Sequence, residues 1–215
     1  MITTDDGSHS IFDGDLQETF HSKHGAIQES QHVFISAGLT PCMASKDQVN
    51  ILELGFGTGL NAALSWKYGQ HHPSSMINYS SLEAFPLSSE ITRKLNYAQL
   101  LGMEDFYRLH TAEWNKPTAL SPNFTLHKIK TDFSKFSYVR AYDLIYFDVF
   151  APKYQSRFWE EPFLSNLLAN QEPGSVLVTY GAKGSFRRTL QRLGMEVEKL
   201  PGPRGKREMT RAIKR

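Results

Sequence analysis

Three glycines in the stretch ILELGFGTGLNAAL, residues 51 to 64, have the spacing of a ligand-binding turn. They are Gly55, Gly57 and Gly59. Glycine removes side chains where a backbone turns tightly and approaches a ligand closely. A dinucleotide fingerprint places its third glycine one position later, where this chain has Leu60, and the Gly-Lys-Ser/Thr step of a P-loop is missing. The spacing therefore disfavours NAD and FAD and excludes a P-loop.

Glu53 stands two residues before the first of these glycines. Its carboxylate would repel a phosphate group and suits a cationic ligand. A Glu-x-Gly-x-Gly-x-Gly pattern after an apolar strand resembles the first motif of class I S-adenosylmethionine-dependent methyltransferases, whose cofactor carries an ammonium and a sulfonium. Charge and spacing thus favour this cofactor. The turn residues that we expect to bind it are Glu53, Leu54, Gly55, Phe56, Gly57, Thr58 and Gly59.

Two further carboxylates follow the next predicted strands. Glu83 ends the strand in INYSSLEAF, where an acidic residue can accept hydrogen bonds from both ribose hydroxyls. Asp132 follows the strand in TLHKIKTDF, where it could accept from an adenine amino group while Phe133 lies along the ring. Either carboxylate could instead cap a helix or a loop. Their joint occurrence after consecutive strands favours a nucleoside-containing cofactor.

The stretch YDLIYFDVFAP, residues 142 to 152, places Asp148 at the end of another apolar strand. A carboxylate followed by an aromatic residue and a proline, here Phe150 and Pro152, resembles the place where class I amino-group methyltransferases hold their nucleophile. Methyl transfer depends on positioning, and an amine attacks only when its lone pair is free. We therefore expect Asp148 to orient an acceptor amine and to receive or relay its proton. A structural cap or a cofactor contact is the alternative.

These residues stand at the ends of strands in a chain that alternates strands with helices. The predicted strands are 49–54, 77–83, 124–129, 143–147, 175–179, 195–199 and 209–213, and the predicted helices are 59–69, 88–97, 160–170 and 183–193. The alternation predicts an α/β fold with a seven-stranded, mainly parallel sheet and helices on both faces. The resemblance of the glycine motif implies the class I S-adenosylmethionine-dependent methyltransferase (Rossmann-like) type of this fold. The short PGPRGKR segment joins the last two strands, so they should pair antiparallel.

Residues 1–45 differ from the rest and form a predicted N-terminal extension, which packs on a methyltransferase domain of residues 46–215. Asp13-Gly14 suits a type I′ turn, which predicts a β-hairpin in SIFDGDLQETF. Residues 24 to 36 follow as a predicted short amphipathic helix, because their apolar residues can share one face.

Composition excludes several classes of protein. Hydrophobic residues make up 40% and charged residues 21% of the chain, as in ordinary globular proteins. Cys42 is the only cysteine, so neither an intramolecular disulfide nor a thiolate metal cluster can form. No apolar run reaches the roughly 20 residues that cross a bilayer, and the N-terminus has no signal-peptide pattern. We expect a non-secreted, cytoplasmic protein.

Positive charge is concentrated near the end of the chain. Residues 183–215 contain eleven Lys or Arg against three Glu, whereas the remaining residues are acidic in balance. A basic face on a mildly acidic body would attract a polyanion such as RNA. A solvated helix face followed by a basic tail is the alternative.

The segments ELGFGTGLN, DVFAP and GKREM, in this order and at these distances, resemble the MnmC methyltransferase family, as does FHSKHGAIQESQHVFI near the N-terminus. The resemblance extends over most of the chain. That family methylates the aminomethyl group on the wobble uridine of certain bacterial tRNAs. The resemblance implies S-adenosylmethionine as cofactor, the anticodon arm of tRNA as partner, and 5-methylaminomethyl-(2-thio)uridine as product.

The resemblance also implies roles at matching positions. The turn residues would surround the cofactor, with Glu83 at the ribose and Asp132 at the adenine, and Asp148 would face the methyl group and the acceptor amine. The residues that we expect on the substrate or RNA side are His21, Glu29, Phe150, Pro152, Arg187, Arg188, Lys206, Arg207 and Glu208.

Larger members of the family carry a flavin-dependent oxidoreductase domain, for which 215 residues leave no room. We therefore expect a stand-alone, monomeric transferase that uses no FAD and receives its amine from an upstream enzyme. Two other functions remain open on the residues alone: the same fold and cofactor acting on a small-molecule or protein amine, and a non-catalytic RNA-binding subunit. His21 and His24 have no further ligands clustered with them, so no metal site is predicted.

Overall fold

Two short antiparallel ribbons stand near the beginning of the chain. In the computed structural model, which describes residues 1–14 and 16–215, they consist of β1 (Ile2–Thr3) with β2 (His9–Ser10) and of β3 (Phe12–Asp13) with β4 (Glu18–Thr19). The second ribbon confirms the predicted hairpin.

The turn of this hairpin differs from the prediction. Asp13 pairs with Glu18, so four residues connect the strands in place of a two-residue type I′ turn centred on Asp13-Gly14. The Asp13 carboxylate accepts a hydrogen bond from the Leu16 backbone N–H at 2.9 Å, and this contact stabilises the wider loop. Asp15, which belongs to the predicted hairpin, lies outside the described residues.

The helix after the ribbons is longer than the prediction for residues 24 to 36. It consists of α1 (Ala26–Ser30), a π-helical stretch (Gln31–Leu39) and α2 (Thr40–Met43). Phe34 and Leu39 are buried in the same core as strands of the main sheet. Gly38 permits this close approach, since a Cβ at Gly38 would lie 3.0 Å from Val178 Cγ2. Packing against the sheet therefore stabilises the helical conformation past residue 36, where the predicted amphipathic helix ends.

Eight strands form the main sheet. In chain order they are β5 (Gln48–Leu54), β6 (Met76–Glu83), β7 (Thr118–Ser121), β8 (Phe124–Lys130), β9 (Leu144–Phe147), β10 (Val176–Thr179), β11 (Met195–Pro201) and β12 (Glu208–Lys214). Their order across the sheet is β11-β12-β10-β9-β5-β6-β8-β7. The five central strands are parallel, and β11 pairs antiparallel with β12 as predicted.

All seven predicted strands are confirmed, and β7 is an eighth that the sequence did not predict. It pairs antiparallel with β8 at the edge of the sheet. It has only four residues and stands between Pro117 and Pro122. Because proline commonly marks the loops between secondary-structure elements, this segment looks like a loop in the sequence. Proline has no backbone N–H to pair, but it is tolerated beside a short edge strand.

Helices cover both faces of the sheet. Those after the first helical segment are α3 (Leu60–His71), α4 (Ser89–Thr92), α5 (Tyr97–Leu101), α6 (Tyr107–Thr111), α7 (Pro152–Gln155), α8 (Glu161–Leu168) and α9 (Gly184–Arg192). Trp66 of α3 belongs to one core cluster with Phe34, whereas Leu164 of α8 and Leu190 of α9 belong to a second cluster. Within the described part of the chain, none of the helices has the length and apolar character needed to cross a membrane.

The order of the strands defines one place where a ligand can bind. From β5 the chain proceeds to β6 and β8 on one side, and later strands β9 and β10 lie on the other. A parallel sheet of this kind has its crevice where the strand order reverses, at the carboxyl ends of the strands. β5 ends beside β9, with Leu54 paired to Phe147. Gly55 and Asp148 therefore leave the sheet side by side.

Candidate active site at the switch point of the sheet

The glycine-rich turn between β5 and α3 has a backbone that side chains would obstruct. Gly55 has a φ of 99° and Gly57 a φ of 49°, conformations that residues with a Cβ rarely adopt. A Cβ on Gly55 would also lie 2.9 Å from the Asp148 carbonyl oxygen. A Cβ on Gly57 would lie 3.2 Å from the ring of Phe20. The turn thus fits between the end of β9 and the N-terminal segment.

Glu83, at the end of β6, is bound to this turn. Its Oε2 accepts a hydrogen bond from the Gly57 backbone N–H at 3.0 Å, and its Oε1 accepts from the Phe85 N–H at 2.8 Å. Each carboxylate oxygen has a second lone pair that remains able to accept. The geometry places Glu83 beside the turn, and its contact with a ribose stays a prediction.

A chain of hydrogen bonds joins the two other carboxylates of the crevice. Asn61, in the first turn of α3, donates through Nδ2 to Glu53 Oε1 at 3.0 Å and to Asp148 Oδ2 at 2.8 Å. Ser81 of β6 donates to Glu53 Oε2 at 2.6 Å. Glu53 is fully buried, whereas Asp148 is half-buried. The two carboxylates are therefore held at the switch point by one buried amide.

Burial shifts both acids towards their neutral forms. It raises the pKa of Glu53 to about 8, against the hydrogen bond from Ser81, and the charge of Asp148 adds to the rise. Burial raises the pKa of Asp148 to about 7, with the Asn61 hydrogen bond opposing the shift. Glu29 raises the pKa of Asp148 further and Lys206 lowers it. A cation placed between Glu53 and Asp148 would stabilise their ionised forms.

This environment fits the predicted cofactor. The amide oxygen of Asn61 is buried and has no hydrogen-bond partner in the described part of the chain, so a donor group could bind there. Two acidic side chains with raised pKa stand beside it. An ammonium supplies both the donors and the positive charge that this set of groups needs. Glu53, Asn61 and the glycine turn are thus suited to hold the methionine part of S-adenosylmethionine.

The side of Asp148 that we predict to face the acceptor is formed by segments distant in the sequence. Glu29 of α1 is buried and accepts a hydrogen bond from Lys206 Nζ at 2.5 Å. The same ammonium lies 3.9 Å from the centre of the Tyr180 ring, and the Tyr180 hydroxyl donates to the Val149 carbonyl at 2.6 Å. A surface pocket of about 340 Å³ adjoins these groups and is lined by Tyr180, Ala182, Lys206, Arg207 and Glu208.

The N-terminal hairpin covers the glycine turn. The Phe20 ring meets Phe150 edge-to-face at a centroid distance of 5.3 Å, and Lys153 pairs with Glu18 at 3.3 Å. His21 Nε2 lies 3.5 Å from Thr58 Oγ1, and burial lowers the pKa of His21 to about 4. His21 is therefore neutral near pH 7. Its role as a substrate contact stays a prediction.

Other predicted cofactor residues make structural contacts. Asp132 caps the turn that follows β8, accepting from the Ser134 N–H at 2.8 Å, and pairs with Arg157 at 2.8 Å. Phe133 packs against Phe158 in the second core cluster. The Leu54 side chain is also buried in that cluster. Their cofactor contacts stay predictions.

The prediction that Arg187 contacts RNA is wrong. Its side chain is buried, and its guanidinium donates to Thr210 Oγ1, Glu208 Oε2 and the Met209 carbonyl at 2.6 to 2.9 Å. These bonds use three of the five guanidinium N–H groups and hold the side chain between α9 and β12. Arg188, the neighbouring residue, is exposed.

Three residues of the site were missed by the sequence reasoning: Asn61, Ser81 and Tyr180. Asn61 follows the last glycine of the turn by two positions, so its place in the first turn of a helix could have signalled a contact with Glu53. Ser81 and Tyr180 reach the site only because of which strands are neighbours and how they are aligned. Neither the strand order nor the register can be deduced from the sequence. Within the described residues, no cluster of three or more His, Cys, Asp or Glu could hold a metal ion.

Comparisons with known proteins agree with this geometry. Residues 96–215 match a family described as S-adenosyl-L-methionine-dependent methyltransferases. A tRNA 5-methylaminomethyl-2-thiouridine biosynthesis bifunctional protein MnmC from Cupriavidus necator is 30% identical over 210 residues, which cover 90% of this chain and 31% of the relative. The same protein from Cupriavidus metallidurans is 29% identical over 209 residues, with the same coverage. The chain spans about a third of the length of these curated relatives.

The crystal structure of MNMC2 from Aquifex aeolicus shares the fold, with a TM-score of 0.78 and 23% identity. The match covers 98% of this chain and 68% of that one. Streptomyces venezuelae DesVI, at 10% identity and a TM-score of 0.51, shares it more distantly, over 88% and 92% of the two chains.

Proposed function

Because this chain belongs to the S-adenosyl-L-methionine-dependent methyltransferases, we propose that it methylates the amine of 5-aminomethyl-(2-thio)uridine at the tRNA wobble position. The product would be the methylaminomethyl nucleoside that the names of its MnmC relatives describe. The observation that supports an amine acceptor is the half-buried Asp148 carboxylate, which is tied to Glu53 through Asn61 at the switch point. The proposal includes the MnmC family roles of Glu53, Glu83 and Asp132 at the cofactor.

Asp148 is the proposed catalytic residue. When bound, S-adenosylmethionine supplies a methyl group on a sulfonium, and transfer forms the nitrogen–carbon bond as the carbon–sulfur bond breaks. The acceptor arrives as an ammonium at neutral pH and has no lone pair until it loses a proton. The ionised Asp148 carboxylate accepts that proton and orients the nitrogen, after which the proton passes to solvent. Because burial raises the pKa of Asp148 to about 7, it is balanced between both forms at neutral pH.

The Glu29–Lys206 pair and Tyr180 would form the wall of the acceptor pocket. Lys206 neutralises the buried Glu29, so the wall presents little net charge to an ammonium. Pro152 begins α7, and Phe150 is fixed by its N–H bond to Gln155 Oε1 at 3.0 Å. These contacts would give the aminomethyl base a preformed pocket with an aromatic edge.

An RNA backbone fits the surface around this pocket. The exposed side chains of Lys183, Arg188, Arg204 and Arg207 form what we call the basic rim. Arg207 lines the pocket, and Lys183 follows Ala182, which also lines it, so these two rim residues border the acceptor side. No rim residue has an ion-pair partner in residues 1–14 and 16–215. Free cations of this kind bind phosphates through long-range attraction and charge-assisted hydrogen bonds.

Methylation of tRNA that lacks this methyl group tests the proposal. The protein would be incubated with S-adenosylmethionine and tRNA that carries 5-aminomethyl-2-thiouridine, and the digested nucleosides would be analysed by mass spectrometry. We expect one methyl group to be added to the aminomethyl nucleoside. Digestion of the tRNA with ribonuclease beforehand should abolish the reaction. Activity that survives this treatment, or methylation at another nucleoside, would refute the proposed substrate.

A further inference from the structure

Asn61 occupies the point where the two ends of the site meet. It is 3% exposed, and it lies on α3, whereas its two carboxylate partners lie at the ends of β5 and β9. Both of its hydrogen bonds leave from the same nitrogen, at 3.0 Å to Glu53 and 2.8 Å to Asp148. An amide Nδ2 has two hydrogens, so this group is fully used by the two acids.

We propose that Asn61 is a positioning residue for methyl transfer, which holds the carboxylate that faces the cofactor and the carboxylate that faces the acceptor amine in one fixed arrangement. The inference rests on the role of Asp148 in the proposed function. A helical residue at this position need not be an asparagine unless its amide has a role, and the role that we assign to it is to position the two carboxylates. A leucine or alanine at this position could form neither hydrogen bond.

An uncharged double donor suits this position for a physical reason. Two neighbouring carboxylates repel each other, so each would turn away or become protonated without a group between them. A lysine there would neutralise one acid and compete with a cationic cofactor. The amide instead donates one hydrogen to each acid and adds no charge. It thereby keeps both carboxylates in place without adding a positive charge that would repel a cationic cofactor.

The free oxygen of the same amide extends this role to the cofactor. Asn61 Oδ1 is buried and has no partner among the described residues. The amide plane is fixed by two hydrogen bonds on the nitrogen, so the oxygen direction is fixed as well. An ammonium bound between Glu53 and Asn61 could donate to this oxygen. Loss of the amide should therefore weaken cofactor binding as well as misplace Asp148.

The titratable neighbours of Asp148 come from four other parts of the fold. Glu53 belongs to β5, Glu29 to α1 and Lys206 to the turn before β12, and Tyr180 directly follows β10. Burial raises the pKa of Asp148, Glu29 raises it further, and Lys206 lowers it. The hydrogen bond from Asn61 also lowers it. Removal of that single bond, with the other groups retained, should raise the pKa of Asp148 in the free protein.

The direct test is a carboxyl titration of the cofactor-free protein. Protein with ¹³C-carboxyl-labelled aspartate would be titrated by NMR as wild type and as Asn61→Ala, with the Asp148 signal identified by its absence in Asp148→Asn. We expect the Asp148 midpoint to rise by roughly 1 to 2 pH units in Asn61→Ala, the size of a lost charge-assisted hydrogen bond. The control is Asn78→Ala. Asn78 donates a hydrogen bond to Asn50 near the amino ends of the parallel strands, at the end of the sheet opposite the site.

Cofactor affinity supplies a second readout. We expect calorimetry to show S-adenosylmethionine bound about 10-fold more weakly by Asn61→Ala, and unchanged by Asn78→Ala. If Asn61→Ala does not give a cooperative thermal transition, Asn61→Ser replaces it, since a serine hydroxyl is too short to reach both acids. An unmoved Asp148 titration in a folded Asn61 variant would overturn the inference. Neither readout depends on tRNA, so failure of the proposed substrate would be recognised separately.

Discussion

The proposed cofactor side and the proposed acceptor side of this site are built in different ways. Glu53, the glycine turn and Asn61 stand within nine consecutive residues, and Ser81 joins them through the neighbouring strand. The acceptor side instead joins Glu29 to Lys206, which are 177 positions apart, and Phe20 to Phe150. One side is a local motif on a parallel sheet, and the other is a convergence of loops. We therefore expect the two sides to respond differently to substitution.

Their charges differ as well. On the cofactor side, the buried Glu53 is joined by an amide to the half-buried Asp148 at the boundary; neither acid has a cation bonded to it in the described part of the chain, and both have a raised pKa. On the acceptor side, Glu29 is paired with Lys206, and the basic rim lies beyond. The first arrangement favours a cationic ligand. The second has a pocket wall of little net charge with cations around it, and it favours a polyanion that covers the pocket. The predictions below test this division.

The largest effect is expected at the boundary between the two sides. Asp148→Asn keeps the shape of the side chain but cannot accept a proton. Because general-base catalysis typically contributes 10² to 10⁴, we expect kcat to fall by about that factor. Affinities for S-adenosylmethionine and tRNA should change by less than about threefold. Single-turnover methylation with separate binding assays measures this, and retention of a tenth of wild-type turnover would contradict the role of Asp148.

The same division explains what the sequence could predict. Seven strands and the glycine turn were predictable because their apolar runs and glycine spacing are local signals. Asp148 was predictable because it directly follows a strand. Tyr180 was not, because its contact with Val149 depends on β10 lying beside β9. Arg187 belongs to a basic segment by composition, and only tertiary packing shows that Glu208 and Thr210 occupy its donors.

The next largest effect is expected on the cofactor side. Glu53→Gln keeps hydrogen-bonding capacity but removes the negative charge next to the ammonium. We expect S-adenosylmethionine affinity to fall about 10- to 100-fold at pH 8.5, as for loss of a charged hydrogen bond. Calorimetry measures the affinity, with the exposed Glu113→Gln as control. Affinity within twofold of wild type would remove Glu53 from the cofactor site.

Glu53 should also make the stability of the free protein depend on pH. Burial raises its pKa to about 8, far above the roughly 4.3 of an unfolded glutamate, so the folded state binds the extra proton between these values. The contribution to stability is present at low pH and is lost as the pH rises through about 8. Glu53→Gln cannot titrate. We expect its Tm to exceed that of wild type by an amount that grows from pH 5 to pH 8.5, as measured by calorimetric scans. A constant difference would show that Glu53 has an ordinary pKa.

A moderate effect is expected where the hairpin meets the turn. Phe20→Ala removes the ring that lies against Gly57 and Phe150. We expect S-adenosylmethionine to dissociate roughly fivefold faster. The reason is that an aromatic pair contributes about 0.5 to 1.5 kcal/mol in addition to the burial of its surface area, and this variant loses that contribution. Stopped-flow displacement measures the rate, and Phe12→Ala, an exposed ring in the same hairpin, is the control. An unchanged rate would mean that the hairpin covers the turn without retaining the cofactor.

The smallest effect is expected at the basic rim, where each cation acts through solvent. Arg207→Ala should weaken tRNA binding a few-fold at low salt and lower the slope of log K against log salt by about 0.9, the value for one lost phosphate contact. Cofactor affinity should stay unchanged, because Arg207 lies on the acceptor side. Arg192→Ala is the matched control, since Arg192 is also exposed but is paired with Glu161 at 2.5 Å. If both variants lower the slope equally, tRNA is attracted by the general charge of the C-terminal segment. If only Arg207→Ala lowers the slope, a tRNA phosphate lies beside the pocket. The acceptor side, whose residues are distant in the sequence, would then take part in the recognition of tRNA.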